Sequence, residues 1–309
     1  MLKYLIVMLD EASVPFCHHE PSQRKEGEIS AADLKSAIHL GMKENLSIQF
    51  VYPNHPVSAE LEEIVESIDH VKIKPYPSGK EDILVADIGS LPDEAPNETV
   101  VIRASIKELS QKVDEIEKAI YHFKRVNIIL KEPDSLSDED ADTYKAFLNR
   151  LTDYIVSQTK LGQELPQLNI LIDRILLDRM NSCGAGDESI TVAPDGKLYV
   201  CPAFYYDGED AVEWKDNELK LPNAQLYRLD NAPICRECDA FQCHRCVWLN
   251  KRRTLEVNTP GHMQCVLSHL ERNASRRLLG KLREIGSFMP KTEIADIDYL
   301  DPFYKLKNN

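Results

Sequence analysis

The chain has 309 residues, of which 43% are hydrophobic and 28% are charged, a composition typical of a globular protein with a sizeable core. Its formal net charge of −14 disfavours binding to the phosphate backbone of nucleic acid. No apolar run approaches the roughly 20 residues of a membrane-spanning helix, and we see no secretion signal. We therefore expect a cytoplasmic protein that does not bind a membrane.

Short β-branched apolar runs alternate with amphipathic stretches over the first 177 residues, which predicts parallel strands covered by helices. The predicted strands are Tyr4–Leu9, Ser47–Tyr52, His70–Lys74, Ile83–Asp87, Thr99–Ala104, Val126–Lys131 and Leu168–Ile172. The predicted helices are Ala31–Glu44, Ala59–Ser67, Ile106–His122 and Asp138–Thr159. Five or six such units are too few for a closed eight-fold barrel, but they suit a partial barrel or a doubly wound sheet.

The strand-helix alternation stops near residue 180, where the cysteines begin. We therefore predict an α/β domain over residues 1–180, a cysteine-rich domain over 181–285 and a tail over 286–309. The tail carries Phe288, Tyr299, Phe303 and Tyr304 among acidic residues. These aromatic side chains indicate a segment that packs back on the domain or docks a partner.

Residues 251–283 carry eight basic and two acidic side chains, against the acidic trend of the chain. This local excess of positive charge favours a solvated helix face. An attachment site for an acidic peptide or partner is the alternative.

Seven of the eight cysteines lie between Cys183 and Cys265. In a chain without a secretion signal, this clustering favours thiolate metal ligands over disulfides. Cys183 and Cys201 flank a Pro-Asp-Gly turn that ends at Gly196, which predicts a hairpin that brings their sulfurs together. Farther along the chain are Cys235, Cys238, Cys243, Cys246 and Cys265. Seven ligands exceed the needs of one four-coordinate site, so the sequence predicts two sites.

The string Cys183-x12-Gly196-x4-Cys201, followed by the four-cysteine run and Cys265, resembles the SPASM domain. This auxiliary-cluster domain is appended to many radical SAM enzymes that modify peptides. The resemblance covers about residues 180–270, although the family usually has one more residue in each of the last two gaps of the run.

The SPASM resemblance implies two 4Fe-4S clusters. The first cluster would be held by Cys183, Cys201 and Cys246, and the second by Cys235, Cys238, Cys243 and Cys265. The first set lacks one cysteine, for which Asp187, His244, a substrate atom or a water is a candidate. Structural zinc bound by the same thiolates is the alternative.

A radical SAM enzyme carries CxxxCxxC just after its first barrel strand, but here that loop contains Cys17 alone. One cysteine cannot hold the radical-generating cluster, so we expect a degenerate barrel that does not bind or cleave SAM. The opening MLKYLIVMLDEASVPFCHHE and the overall layout are similar to the CXXX repeat peptide maturase family. That resemblance implies a role in maturing a ribosomally made cysteine-repeat peptide beside a radical SAM partner enzyme.

Cys17, His18 and His19 follow the first strand, where α/β folds commonly carry functional groups. They are candidates to contact a metal or the peptide cysteines, and a solvated surface loop is the alternative. Arg103 and Asp173, near strand ends, are predicted to form structural ion pairs.

Three functions are compatible with these features. The first is an accessory protein that positions a precursor peptide for another enzyme. The second is an enzyme that uses the incompletely ligated cluster as a Lewis acid or electron relay. The third is a zinc-stabilised scaffold without redox chemistry.

Overall fold

The main sheet of the protein has nine strands in a computed structural model that describes residues 2–20, 27–93, 97–131, 133–286, 288–289 and 291–296. Its strands are β1 (Tyr4–Met8), β2 (Ser47–Val51), β3 (Val71–Lys74), β4 (Ile83–Asp87), β5 (Thr99–Ala104), β6 (Arg125–Leu130), β7 (Gln167–Leu168), β8 (Ser189–Val192) and β9 (Leu198–Tyr199). A separate antiparallel hairpin contains β10 (Glu213–Lys215) and β11 (Glu218–Lys220).

The strand order is β7-β6-β5-β4-β3-β2-β1-β8-β9. From β1 to β7 each strand lies parallel to its predecessor in the chain. The order therefore runs in one direction, without the reversal that defines a doubly wound sheet. Of the two architectures that the sequence allowed, the structure has the partial barrel.

The described helices cover the outer side of this sheet or follow its last strands. They are α1 (Ala31–Lys43), α2 (Ala59–Val65), α3 (Ile106–Gln111), α4 (Val113–His122), α5 (Asp138–Lys160), α6 (Asp173–Leu176), α7 (Pro202–Tyr206), α8 (Val247–Thr254) and α9 (His262–Glu284). Ser30, Ser105 and Ser137 cap α1, α3 and α5 by accepting backbone N–H groups, which satisfies donors that a helix start leaves free.

Two predicted elements differ from those observed. The single helix Ile106–His122 is broken at Lys112, whose backbone leaves the helical region; the apolar period continues through the break and does not reveal it. The strand Leu168–Ile172 ends at Leu168. Its continuation is replaced by Asn169, whose amide accepts from Ile128 N at 2.8 Å and donates to Ile128 O at 2.9 Å. A side chain thus makes the hydrogen bonds that a longer strand would make.

Strand residues alternate between two apolar surfaces, as the two-residue period of a strand requires. One surface packs under the helices in two large clusters that include Leu5 and Val100. The other lines the inside of the barrel. This inner layer consists of Ile6, Val51, Ile73, Val85, Val101 and Ile129.

The main sheet continues past residue 180. Strand β8 pairs in parallel with β1, with Leu5 beside Ile190, and then turns back through the predicted hairpin into β9. Gly196 has φ of +76°, the left-handed conformation for which the sequence required glycine. On the outer side, α9 packs against α5, where the Tyr144 hydroxyl donates to Glu271 at 2.7 Å.

Ion pairs account for most of the charges in the basic stretch 251–283. Arg272 is fully buried and donates to the Asp239 carboxylate from Nε and Nη2, so the expectation of a solvated face is wrong for this residue. The other pairs are Lys251 with Glu209, Arg252 and Arg253 with Asp134, Arg276 with Asp296, and Arg277 and Lys281 with Asp153. These pairs neutralise most of the positive charge, so residues 251–283 do not form a strongly cationic docking surface.

The predicted ion pairs of Arg103 and Asp173 are confirmed, with Glu20 and Arg125 as their partners. In the tail, Phe288 and Met289 pack against the core cluster that contains Ile294. Tyr299, Phe303 and Tyr304 lie outside the described residues. Within the described ranges, no helix is long and apolar enough to cross a bilayer.

Candidate metal centres and peptide cleft

The loop after β1 lies across the carboxyl-terminal ends of the barrel strands. The Ser13 hydroxyl donates to Val51 O at 2.9 Å at the end of β2, and the His18 ring nitrogen Nδ1 donates to Leu130 O at 2.7 Å at the end of β6. Val14 and Phe16 pack on the inner apolar layer. The pocket between this loop, Met8 and Tyr206 has a volume of about 10 Å³, roughly that of one water. The chain therefore fills this part of the barrel mouth with its own loop.

His18 and His19 belong to the packed interior, which corrects the alternative of a solvated loop. His19 is 5% exposed, stacks on Tyr206 with ring centroids 5.5 Å apart and meets the edge of Trp248 at 4.9 Å. Its Nε2 lies 3.3 Å from Asp207 Oδ1. Burial lowers the pKa of both histidines, so both rings are neutral at pH 7.

Four thiols form what we call the first quartet: Cys17, Cys183, Cys201 and Cys246. They lie close together, because the other three thiols all raise the pKa of Cys201, Cys17 and Cys183 raise the pKa of Cys246, and Cys183 raises the pKa of Cys17. Burial raises the pKa of all four. Although Cys183 as a residue is exposed, protein atoms surround its thiol and raise its pKa. In the metal-free protein these thiols are protonated, so a bound metal has to displace their protons.

Each sulfur of the first quartet accepts a backbone N–H from two or three residues farther along the chain. The donors for Cys17, Cys183, Cys201 and Cys246 are His19, Ala185, Phe204 and Leu249, in that order. These hydrogen bonds lower the pKa of each thiol in opposition to burial, because they favour the thiolate. Hydrogen bonds of this kind also tune iron-sulfur clusters.

The second quartet consists of Cys235, Cys238, Cys243 and Cys265. Cys238 raises the pKa of Cys235, and both thiols raise the pKa of Cys243 and Cys265. With burial as the main cause, the pKa of Cys265 reaches about 12. The Ser268 hydroxyl donates to Cys243 Sγ at 3.2 Å, and Ala240 N donates to Cys238 Sγ at 3.4 Å. This quartet joins the central cysteine run to the first turn of α9.

All eight cysteines are free thiols, as the sequence predicted. Among the described residues, no group of three or more His, Cys, Asp and Glu side chains is arranged to hold one metal ion. The donor set itself is two groups of four thiols, the ligand number of a 4Fe-4S cluster or of a structural zinc.

Sequence reasoning did not place Cys17 in the first quartet. It considered Cys17 a candidate to contact a metal or the peptide cysteines, and it considered Asp187, His244, a substrate atom or a water for the incomplete set. Asp187 lies in the wall of a cleft beside Cys183, whereas His244 Nε2 lies 2.9 Å from Asn169 Nδ2 and lines a pocket with Cys243. The sequence did contain one signal for Cys17. The first predicted ligand set had three cysteines and needed a fourth, and Cys17 was the one cysteine assigned to neither set.

A cleft of about 600 Å³ extends from the amino-terminal end of β1 to the loop that follows this strand. Ile6, Gln49 and Phe16 contribute its inner wall, and Cys183 and Arg245 contribute its outer wall. Its polar and charged rim includes Lys3, Arg179, Asp187 and Arg228. A concave cleft of this size is a typical ligand site, and Cys183 of the first quartet lies in its wall.

No protein-family profile and no curated protein matches the sequence, but solved structures match the fold. The protein anSMEcpe with bound AdoMet is 14% identical, with a TM-score of 0.58 over 91% of this chain and 98% of that chain. The chain has the fold of anSMEcpe. The same protein with bound AdoMet and the Cp18Cys peptide is 15% identical, with a TM-score of 0.58 over 91% of this chain and 99% of that chain.

A further match is SuiB of Streptococcus suis bound to S-adenosylmethionine. It is 11% identical, with a TM-score of 0.50 over 85% of this chain and 77% of that chain. At these identities the similarity concerns the fold. It confirms the fold class predicted from the sequence, an α/β partial barrel of the radical SAM type.

Proposed function

We propose that this protein is an accessory protein in the maturation of a ribosomally synthesised cysteine-repeat peptide. It binds the precursor, carries two 4Fe-4S clusters and does not cleave SAM, so it works beside a radical SAM partner enzyme. The observation that carries this proposal is the grouping of buried thiols into two quartets on a barrel whose mouth is filled by its own loop.

The clusters are assigned to the cysteines that the SPASM resemblance indicates. Cys183, Cys201 and Cys246 serve the first cluster, and the four cysteines of the second quartet serve the second. When bound, such clusters supply electron transfer. The chain provides buried thiols, backbone N–H groups aimed at the sulfurs and the nearby cations Arg103 and Arg245, which offset the negative charge of the thiolates.

The loop supports the absence of SAM cleavage. It has one cysteine instead of three, and Val14 and Phe16 occupy the inner apolar layer at the barrel mouth. The pocket left there has about 10 Å³, whereas a cofactor-sized ligand needs some 300 Å³ or more.

The cleft of about 600 Å³ supports binding of a peptide. It is large enough for several residues of an extended chain, and its rim offers both cations and carboxylates to backbone and side-chain groups. The structure of anSMEcpe with the Cp18Cys peptide is a precedent for a peptide ligand on this fold. Because Cys183 lies in the cleft wall, the bound peptide would lie near the first cluster.

The first experiment is anaerobic purification followed by iron, sulfide and zinc analysis. We expect about eight iron and eight sulfide per chain, as two 4Fe-4S clusters require. Colourless protein with zinc alone would replace the cluster proposal with the zinc scaffold.

The second experiment incubates the protein with dithionite and SAM, with and without the precursor peptide. We expect no 5′-deoxyadenosine and an unchanged peptide mass, because one loop cysteine cannot hold the cluster that cleaves SAM. A known radical SAM enzyme is the positive control in the same assay. Formation of 5′-deoxyadenosine would refute the accessory function.

A stand-alone enzyme is the second candidate function, favoured by the position of Cys183 at the cleft. An iron atom with an open coordination position there could bind a substrate thiol as a Lewis acid. A change in peptide mass without SAM would establish this candidate and exclude the accessory one.

A further inference from the structure

We infer that Cys17 is the fourth ligand of the first iron-sulfur cluster, so that a loop of the barrel completes a metal site otherwise built from the carboxy-terminal part of the chain. This inference rests on the proposed function, because it requires that the cluster is present. It assigns Cys17 a role different from that of a leftover cysteine at the barrel mouth.

The backbone around Cys17 is held in place by a buried arginine. Arg103, which is 3% exposed, donates from Nε to Cys17 O at 3.3 Å and from Nη2 to His19 O at 3.1 Å. The same guanidinium binds the Glu20 carboxylate at 2.8 Å. Three hydrogen bonds from one planar group fix the orientation of residues 17–20. The backbone that carries Cys17 is thereby held against Arg103.

His19, two positions after Cys17, is clamped between α7 and α8. Cys201 immediately precedes α7 and Cys246 immediately precedes α8. His19 stacks on Tyr206 of α7 and meets the edge of Trp248 of α8. Asp207 completes the clamp, because its carboxylate accepts from Trp248 Nε1 and contacts His19 Nε2.

The clamp holds the segment that contains Cys17 beside the starts of α7 and α8. Cys17 borders the same small pocket as Pro202 and Tyr206, and Pro202 is the residue after Cys201. The sulfurs of Cys201 and Cys246 lie at the starts of the two clamped helices, and Cys183 is carried by the segment that leads into β8. Cys17 therefore approaches the three predicted ligands from the barrel side and supplies the missing fourth thiol.

Complete thiolate ligation has a chemical consequence for the site. A 4Fe-4S cluster with four thiolates has no open iron to offer to a substrate sulfur, whereas a cluster with three thiolates has one. The ligation by Cys17 thus favours the accessory function over Lewis-acid catalysis at the first cluster. It also ties the loop that fills the barrel mouth to the metal site.

The test compares the parent with Cys17→Ala, Cys17→Ser and Cys238→Ala, all purified and reconstituted anaerobically with iron and sulfide. Serine keeps the volume of the side chain and replaces the sulfur, so it serves if the alanine variant does not fold. Val14→Ala is the matched control, because it loosens the packing of the same loop and keeps every thiol. Iron, sulfide, EPR spectra before and after mild oxidation, and far-ultraviolet circular dichroism are measured for each.

We expect both Cys17 variants to lose about half of the iron and sulfide, or to convert half of their clusters to a three-iron form on mild oxidation. Val14→Ala should match the parent, and Cys238→Ala should lose the other half. A double Cys17→Ala/Cys238→Ala variant should retain little iron. The inference is overturned if the parent holds two clusters while both Cys17 variants keep its iron content and its resistance to oxidation. A parent without iron would instead refute the proposed function.

Discussion

At the level of single residues, Glu271 is a buried carboxyl group between α5 and α9. Glu271 accepts from the Tyr144 hydroxyl at 2.7 Å and from Gln242 Nε2 at 3.2 Å. Burial nevertheless raises its pKa to about 7, because two neutral donors do not replace the hydration of a carboxylate. The folded protein therefore binds a proton at Glu271 in a pH range where the unfolded chain has released it.

This proton makes stability depend on pH. Because the pKa is raised on folding, the stabilisation is fully present below pH 4.5, falls between pH 4.5 and 7 and is lost above pH 7. The shift from the ordinary value of 4.5 to about 7 corresponds to about 3 kcal/mol. We expect Glu271→Gln to remove this part of the pH dependence, so that the variant gains stability relative to the parent as pH rises from 5 to 8.

The measurement is urea unfolding of both proteins across that range. Glu63→Gln, on the exposed side of α2, is the control and should follow the parent. Parallel stability curves for the parent and Glu271→Gln would show that Glu271 is not the responsible group.

At the level of elements, the β8–β9 hairpin joins the barrel to the first quartet. Its first strand pairs with β1, and its second strand leads to Cys201. Gly196 closes the turn with a left-handed φ of +76°, and a Cβ atom there would lie 2.5 Å from Asp33 Cγ. Asp33 itself binds the Ser30 hydroxyl at the start of α1, so a larger residue at the turn would disturb two elements.

Gly196→Ala should therefore destabilise the protein by two separate effects. The left-handed conformation costs a non-glycine residue about 1–2 kcal/mol, and displacing Asp33 loses a hydrogen bond worth about 1 kcal/mol. The matched control is Gly162→Ala, because Gly162 also has a left-handed φ, of +88°, but no atom within 4 Å of the added Cβ. Denaturant unfolding should show a larger loss for Gly196→Ala, and equal losses would contradict the role of Asp33.

At the level of the whole molecule, the predicted boundary near residue 180 is crossed by continuous structure. The pairing of β1 with β8 extends the main sheet over it, and α9 packs against α5. Loss of metal from the cysteine-rich part should thus be felt within the barrel, because β1 has β8 as one of its two neighbours.

Hydrogen exchange can follow this coupling. We expect chelation of the metal to increase amide exchange in β8 and β1, since the loosened hairpin deprives β1 of one partner. Strand β5, which lies between β4 and β6, should change much less and serves as the internal control. Unchanged exchange in β1 after complete metal removal would show that the two parts are energetically independent.

The sequence by itself determined the features that depend on neighbouring residues in the chain. Short β-branched apolar runs placed six of the seven predicted strands, and Pro194-Asp195-Gly196 predicted the hairpin, because turn conformation is set by a few adjacent residues. The number of clustered cysteines predicted two metal sites. Arg103 and Asp173 were recognised as ion-pair groups from their positions at strand ends.

Only the tertiary structure decided the features that join distant segments. It brought Cys17 to Cys201 and Cys246, buried His19 between two helices, made Arg272 an interior residue and replaced the end of a strand by the side chain of Asn169. Neighbouring residues in the chain do not reveal these contacts. Each contact depends on the direction of a side chain in the folded protein and on which distant segment packs beside it. The composition of the first quartet is such a feature, since its thiols come from four separate segments.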